Sequence, residues 1–381
     1  MPLVITDLNE KELLKISDTL SDSTVIKDLE SIKPCVGCFG CWNKTPGQCV
    51  LRDGYENMGK MIHDADEVIV ISKYTYGGFS GFVKNVFDRS LGYVLPHFEI
   101  INGESHHKKR YPEDKAFTFV FYGQNFSREQ QEKARRYVKA VCTNIRGWVK
   151  DIQFLPSEDD EIHPVCTGDM QSGRTVILNA SMRSKSGNSQ KLALSLLKMA
   201  DRIEDVISIV PFIGHYDRLM ESLSDVSDLI FCAPLYVDGL PSQLIRLMET
   251  FEKQYIGSPK RVYVLANMGL YEPDQLVNLF SSVKEWCDIM GFTYCGGVGI
   301  GAGELVGGLL EFIKFGQWPL RSIGNAIKKL ADTVNTNGLM EDLYVGTTGF
   351  PRPLYLSIAN SGWRRMAKKN GITNEDLFRR L

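Results

Sequence analysis

At 381 residues, with 43% apolar and 24% charged side chains, the chain has the composition of an ordinary folded protein and the length of about two domains. Its 44 basic and 46 acidic residues nearly cancel, which excludes the basic surface of a polyanion binder, so nucleic acid is not an expected partner. The opening residues carry no secretory signal, and no apolar run approaches the roughly 20 residues that cross a bilayer, so a cytoplasmic location without membrane insertion is expected.

Nine cysteines is an odd number, and four of them, Cys35, Cys38, Cys41 and Cys49, follow a C-x2-C-x2-C-x7-C pattern. In a reducing compartment such crowding points to metal or redox chemistry rather than to disulfides. Two-residue gaps let successive sulfurs turn toward one small centre, and Gly37, Gly40, Pro46 and Gly47 let the loop wrap it. This style fits an iron-sulfur cluster better than zinc, which usually takes two separated pairs. Zinc, and reduced thiols that merely pack in a structural loop, stay open as readings.

Further along, β-rich runs lie at Val68 to Ser72, Phe117 to Tyr122, Thr175 to Leu178, Leu229 to Ala233 and Val262 to Ala266. They alternate with helix-period segments at Arg128 to Val141, Gln190 to Met199, Ser242 to Phe251 and Pro273 to Met290. The alternation predicts an α/β fold of parallel, doubly wound sheets. Polar Pro156 to Arg174 reads as a linker, which divides the chain into 1–155, a linker at 156–173, 174–310, and a mostly helical C-terminal extension at 311–381. A weak internal repeat supports two halves: Tyr74, Gly77, Ser80 and Lys84 recur as Tyr236, Gly239, Ser242 and Arg246, each 162 residues on. In the extension we expect a helix from Glu311 through Ala331, kinked or broken at Pro319, a turn at Gly349 to Pro353 and a basic helix around Trp363 to Asn370.

Val176 to Ser189 reads as a strand, a small polar loop and a helix start. Backbone N–H groups at such a start point outward. The hydroxyls of Ser181, Ser186 and Ser189, with Asn188, Gly187 and the charge of Arg183, complete an anion cradle. The ending of a P-loop and the glycine spacing of a dinucleotide fingerprint are both absent, so a mononucleotide such as FMN fits; a serine-capped helix is the plainer reading. Loops at Lys73 to Gly78 and at Pro234, Leu235, Tyr236, Val237, Asp238, Gly239 and Leu240 follow central strands, at the edge where open α/β sheets bind ligands. Their exposed amides and aromatic rings could hold a planar flavin ring.

Gly296 to Glu304, after an expected strand at Phe292 to Cys295, reads as a flexible turn or a close backbone approach. His106 and His107, beside Lys108, Lys109 and Arg110, read as solvated surface. No nucleophile elbow or paired-histidine metal motif is present, so a cofactor must carry the chemistry of an enzyme here.

At these residues the chain resembles the NAD(P)H-dependent FMN reductase and iron-sulfur flavoprotein family of the flavodoxin-like superfamily, over roughly Met1 to Leu155 and Arg174 to Val306. The resemblance implies two flavodoxin-like doubly wound parallel sheets with a helical C-terminal extension. It makes Ser181 to Ser189 the FMN phosphate loop, Pro234 to Leu240 the flavin-ring loop, and Cys35, Cys38, Cys41 and Cys49 the ligands of a four-iron, four-sulfur cluster. The first half opens on Ile5 to Glu10 and lacks a serine, arginine and glycine loop. That half is therefore expected not to hold FMN phosphate alone, and the fusion to form an internal pseudo-dimer with one intact site. The implied function is an NAD(P)H oxidoreductase in which FMN passes electrons to an unidentified acceptor, directly or through the cluster. The alternative is a flavodoxin-like electron carrier or redox sensor without turnover. The implied partners are a nicotinamide donor and that acceptor, with a homo-oligomer left open.

Overall fold

The computed structural model describes residues 1–15, 22–27, 32–123, 125–156, 166 and 168–381. The chain divides into two units, Met1–Glu161 with Leu356–Leu381, and Ile162–Tyr355. Most of the expected linker, residues 157–165 and 167, lies outside the described residues. The segment from 311 onward is split between the units at Tyr355.

The first unit begins with β1 (Leu3–Thr6), α1 (Glu10–Lys15) and β2 (Thr24–Lys27), followed by α2 (Gly40–Asn43) and α3 (Met58–Asp64). Then come β3 (Val68–Thr75), β4 (Gly78–Phe79), α4 (Gly81–Arg89), β5 (Val94–Ile101), β6 (Glu104–Lys109), β7 (Lys115–Gly123), α5 (Arg128–Asn144) and β8 (Gly147–Pro156). The parallel strands run in the order β2-β1-β3-β7-β8, β4 folds back on β3, and β5 pairs with β6 as a separate ribbon. Phe117, Phe119 and Phe121 alternate along β7, so period two sends all three rings to one face, where they meet Phe79 and Phe87. Helix α5 opens on a capping box of Ser127 and Gln130, which satisfies two N–H groups at its start.

The second unit holds β9 (Arg174–Asn179), α6 (Asn188–Leu197), β10 (Ile203–Ser208), α7 (Tyr216–Ser222), β11 (Val226–Pro234) and α8 (Ser242–Gln254). It continues with β12 (Arg261–Asn267), α9 (Val277–Met290), β13 (Thr293–Ile300), α10 (Gly303–Leu309), α11 (Arg321–Asn335) and β14 (Leu343–Val345). The chain ends with α12 (Arg352–Lys369), whose first turn belongs to this unit, and α13 (Asn374–Leu377). The strand order is β10-β9-β11-β12-β13-β14, all parallel. One face packs on α6 and α11 through Leu192, Leu196, Ile323, Ile327, Leu330 and Val334. On another side Phe231, Phe251, Trp286 and Phe292 interlock.

Both units therefore carry the flavodoxin-like order of five parallel strands, second-first-third-fourth-fifth, with β14 added to the second sheet. Among the described residues no helix is long and apolar enough to cross a membrane.

Several expectations need correction. The repeat of four matched residues is out of register by one. The turn after β3 pairs Thr75 with Gly78 and places Tyr76 and Gly77 at positive φ; the turn after β11 pairs Tyr236 with Gly239 and places Val237 and Asp238 there. The structural interval is thus 161, not 162. Strand β13 extends through Ile300, so Gly296, Gly297 and Gly299 lie within it rather than in a turn. A side chain on Gly297 would strike the carbonyl of Val264 in β12, which is why the strand needs glycine. Pro319 precedes α11 instead of kinking it, and α12 begins well before Trp363. His106 is buried on β6 and His107 packs on Trp42 and Phe98, so neither is solvated surface.

Candidate functional site

In the second unit the loops after β9 and β11 emerge side by side at the carboxyl ends of neighbouring strands, at the point where the strand order reverses. Asn179 ends β9 and turns the chain: its Oδ1 accepts the Ser181 N–H at 3.0 Å, and its Nδ2 donates to Gln190 Oε1 at 2.6 Å. The loop tightens as the N–H of Ser184 donates to the Ser181 carbonyl at 2.8 Å and that of Ser186 to the Arg183 carbonyl at 3.1 Å. Helix α6 then starts with Gly187 at its N-cap and no side chain capping it. A Cβ on Gly187 would lie 2.5 Å from Ser181 Oγ, so glycine is what lets the Ser181 hydroxyl sit against the helix start.

Of the residues predicted to cradle an anion, Ser181, Gly187 and the α6 N-terminus come together. Arg183 lies near them, with its guanidinium 3.5 Å from Glu304. The Ser186 hydroxyl donates to the Arg183 carbonyl at 3.0 Å. Asn188 packs so tightly on α10 that a side chain at Gly307 would strike its carboxamide. Ser189 turns inward, and its hydroxyl donates to Asn267 Oδ1 at 2.7 Å. An uncapped helix N-terminus, one hydroxyl and one cation fit a phosphate, and among the described residues no carboxylate is recorded capping the N–H groups.

The loop expected to face a flavin ring begins with the Leu235 N–H on the Asn267 carbonyl at 2.8 Å. Tyr236 and Gly239 exchange two N–H···O bonds of 3.0 Å, closing a two-residue turn with φ of 38° at Val237 and 60° at Asp238. That geometry is a type I′ turn, which favours asparagine and glycine; a β-branched valine at positive φ is an outlier. Pro234, Leu235, Tyr236 and Val237 are half-buried, while Asp238 and Gly239 are buried.

The first unit differs at the equivalent place. After β1, both carboxylate oxygens of Asp7 accept the Lys73 N–H at 3.1 Å, and Ser80 and Tyr122 also hydrogen-bond this group. Burial nonetheless pushes the Asp7 carboxyl above its usual range. The N-terminus of α1 is closed by its own side chains: Asn9 Oδ1 accepts the Glu12 N–H at 3.0 Å, and Glu12 Oε2 accepts the Asn9 N–H at 2.9 Å.

The cysteines of the first unit lie on a loop wrapped by left-handed residues Gly37, Phe39 and Gly47. The Gly40 N–H donates to Cys38 Sγ at 3.3 Å, and the indole of Trp42 donates to the carbonyls of Leu91 and Val94. Cys38 is exposed, while Cys35, Cys41 and Cys49 are half-buried, and all four thiols are free. Burial, the carboxylate of Asp88 and the neighbouring thiols Cys49 and Cys38 push Cys35 up to about 12. Burial and then the other three sulfurs raise Cys41, with Arg110 opposing. Arg89, paired with Asp53 at 2.7 and 3.0 Å, also hydrogen-bonds Cys49. Among the described residues no three His, Cys, Asp or Glu side chains stand ready around a single metal ion. An all-thiol donor set of this kind suits a soft metal or an iron-sulfur cluster.

Sequence reasoning missed Asn267 and Gly307, and it gave no role to Asn179 or Glu304 within the stretches it singled out. A signal existed for two of them: Asn179 and Asn267 are polar residues that end apolar runs, at the carboxyl edge of the sheet.

No protein-family model matches the chain. A stretch of 61 residues, 16% of the chain, is 34% identical to an iron-sulfur flavoprotein of Methanocaldococcus jannaschii. The match spans 31% of that relative's length. Among solved structures, an azoreductase from Bacillus anthracis overlaps 43% of this chain and 100% of its own, with 14% identity and a TM-score of 0.30. A Trp repressor binding protein from Bacillus subtilis overlaps 33% of this chain and 82% of its own, with 21% identity and a TM-score of 0.27. An FMN-dependent NADH-azoreductase from Bacillus anthracis, in complex with FMN, overlaps 52% of this chain and 99% of its own, with 11% identity and a TM-score of 0.23.

Proposed function

We propose that the second unit binds FMN, with its phosphate at the start of α6 and its ring against the loop after β11, and that the protein is a flavin oxidoreductase drawing electrons from NAD(P)H. One observation carries this reading: on adjacent strands at the switch point, an uncapped helix N-terminus stands beside a two-residue turn held at positive φ. Bound FMN would supply hydride acceptance and onward electron release. The chain's residues supply binding and orientation. The first-turn N–H groups of α6 and the Ser181 hydroxyl hold the phosphate, and Arg183 adds charge that it now shares with Glu304. Gly187 keeps the space open. The main chain of Leu235 to Gly239 offers a rigid edge to the ring.

Cys35, Cys38, Cys41 and Cys49 would hold a four-iron, four-sulfur cluster as an onward electron acceptor, with Arg89 and Arg110 offsetting its negative charge. The 61-residue match to a protein named as an iron-sulfur flavoprotein supports this pairing of chemistries, and it is too short to span both sets of residues.

Protein purified without oxygen should show flavin absorbance, with iron and sulfide in proportion. Gly187→Val puts a side chain into the space beside Ser181 and should release FMN while the far-ultraviolet spectrum is kept. FMN held as tightly by that variant, or no FMN uptake by folded wild type, overturns the assignment. Steady-state NAD(P)H oxidation separates an enzyme from an electron carrier.

A further inference from the structure

The candidate phosphate loop and ring loop are both hydrogen-bonded to a residue that belongs to neither. Asn267 ends β12 and is 6% exposed. Its side-chain Oδ1 accepts the hydroxyl of Ser189, the second residue of α6, at 2.7 Å. Its main-chain carbonyl accepts the N–H of Leu235, the first residue after β11, at 2.8 Å. Asn267 is itself held in register, opposite Pro234 of β11 on one side and Ile300 of β13 on the other. Its carboxamide is enclosed as well: a Cβ on Gly303 would come within 2.8 Å of Nδ2. Ser189 is equally fixed, at 1% exposure, with its carbonyl accepting the Cys232 thiol at 3.2 Å.

We infer that Asn267 is a positioning residue that sets the span between the phosphate site and the ring site, and thereby selects a phosphorylated flavin over riboflavin. This rests on the FMN reading of the second unit. A ligand that touches both loops feels the distance between them, whereas one that touches only the ring loop does not. Breaking the Ser189–Asn267 bond frees the start of α6 but leaves the main-chain bond to Leu235 in place. FMN therefore loses a preorganised phosphate site, while riboflavin meets the same ring loop as before.

The test titrates FMN and riboflavin into the flavin-free full-length protein as wild type, Ser189→Ala, Asn267→Ala and the double variant. Each single change should weaken FMN about tenfold, the worth of one buried hydrogen bond, and leave riboflavin within about twofold. The double variant should be no weaker than the singles, since both remove one bond. Ser189→Ala makes the smaller change and keeps the test open if Asn267→Ala fails to fold. Equal losses for both flavins, or losses that add, would mean a merely structural role and overturn the inference. FMN binding with an unchanged ratio to riboflavin overturns this inference alone; a wild type that takes up no FMN overturns the functional reading and this inference with it.

Discussion

The helices that follow the first strand of each sheet, α1 and α6, begin in opposite ways. Helix α1 is closed from within: Asn9 and Glu12 satisfy each other's N–H groups, and the Asp7 carboxylate just upstream already occupies the Lys73 N–H. Helix α6 starts on a glycine with no capping side chain, beside a hydroxyl and an arginine. The two sheets share one strand order, so the difference does not come from the fold. Topology offers a ligand position at the switch point; on the proposed reading, a few loop residues decide whether an internal carboxylate or an external anion fills it.

The sharpest way to break the contrast is to close the second helix start. Gly187→Ser places a capping side chain where glycine now leaves room for Ser181, and FMN affinity should fall at least about 100-fold, about 2.7 kcal/mol. Equilibrium titration of the flavin-free protein checks this; unchanged affinity would show that the phosphate lies elsewhere.

A second large difference concerns acid. Burial lowers His97 and His107, both in the first unit, to about 4, and the cations Arg364, Lys108 and Arg110 add to the effect on His97. In the second unit the described histidine, His215, is exposed. A histidine held neutral by folding contributes stability that is fully present above its ordinary value of 6.5 and is lost as pH falls from there toward 4. Acidification across that window should therefore open the first unit before the second. His97→Phe should move the first unit's fluorescence transition to lower pH; a transition that stays put rules His97 out as its cause.

Opening the first helix start is the milder counterpart. Replacing Asn9 and Glu12 together by alanine should destabilise the first unit by about 1 kcal/mol in denaturant titration, yet create no FMN site, because Asp7 keeps its place. A second equivalent of bound FMN in this variant would show that the capping box alone had kept the ligand out.

The sheets were legible because their central strands are buried on both faces and read as apolar runs, as at Leu229 to Ala233 and Val262 to Ala266. Strand β8 escaped notice because it is an edge strand with Trp148 and Leu155 half-exposed, and β10 because only Ile203 is buried. The candidate phosphate loop stood out as a run of small polar residues. The inward turn of Ser189 did not, since its partner Asn267 lies 78 positions away. His106 and His107 misled through their basic neighbours: the two rings leave β6 on opposite sides and both sides are covered there, His106 meeting Asn144 at 2.7 Å and His107 packing on Trp42 and Phe98, while Lys108 beside them is exposed. The repeat was slipped by one residue because glycine and serine recur at turns for reasons of their own, whereas the paired turn residues fix the true register.

The turns that follow β3 and β11 extend the comparison and give its smallest expected effect. The first places Tyr76 and Gly77 at positive φ, so glycine takes one of the two positions without strain; the second places Val237 and Asp238 there and has no glycine to relieve it. A β-branched residue in that region stores on the order of 1 kcal/mol, and the paired N–H···O bonds of Tyr236 and Gly239 hold it there. Val237→Asn keeps the turn and suits its geometry, so it should stabilise the second unit by about 0.5 kcal/mol and raise its thermal midpoint by about 1–2 °C. The same exchange at Tyr76, next to a glycine, should give less. If Val237→Asn lowers the midpoint instead, the half-buried valine is kept for its packing, and the turn holds no strain that a ring-binding loop could draw on.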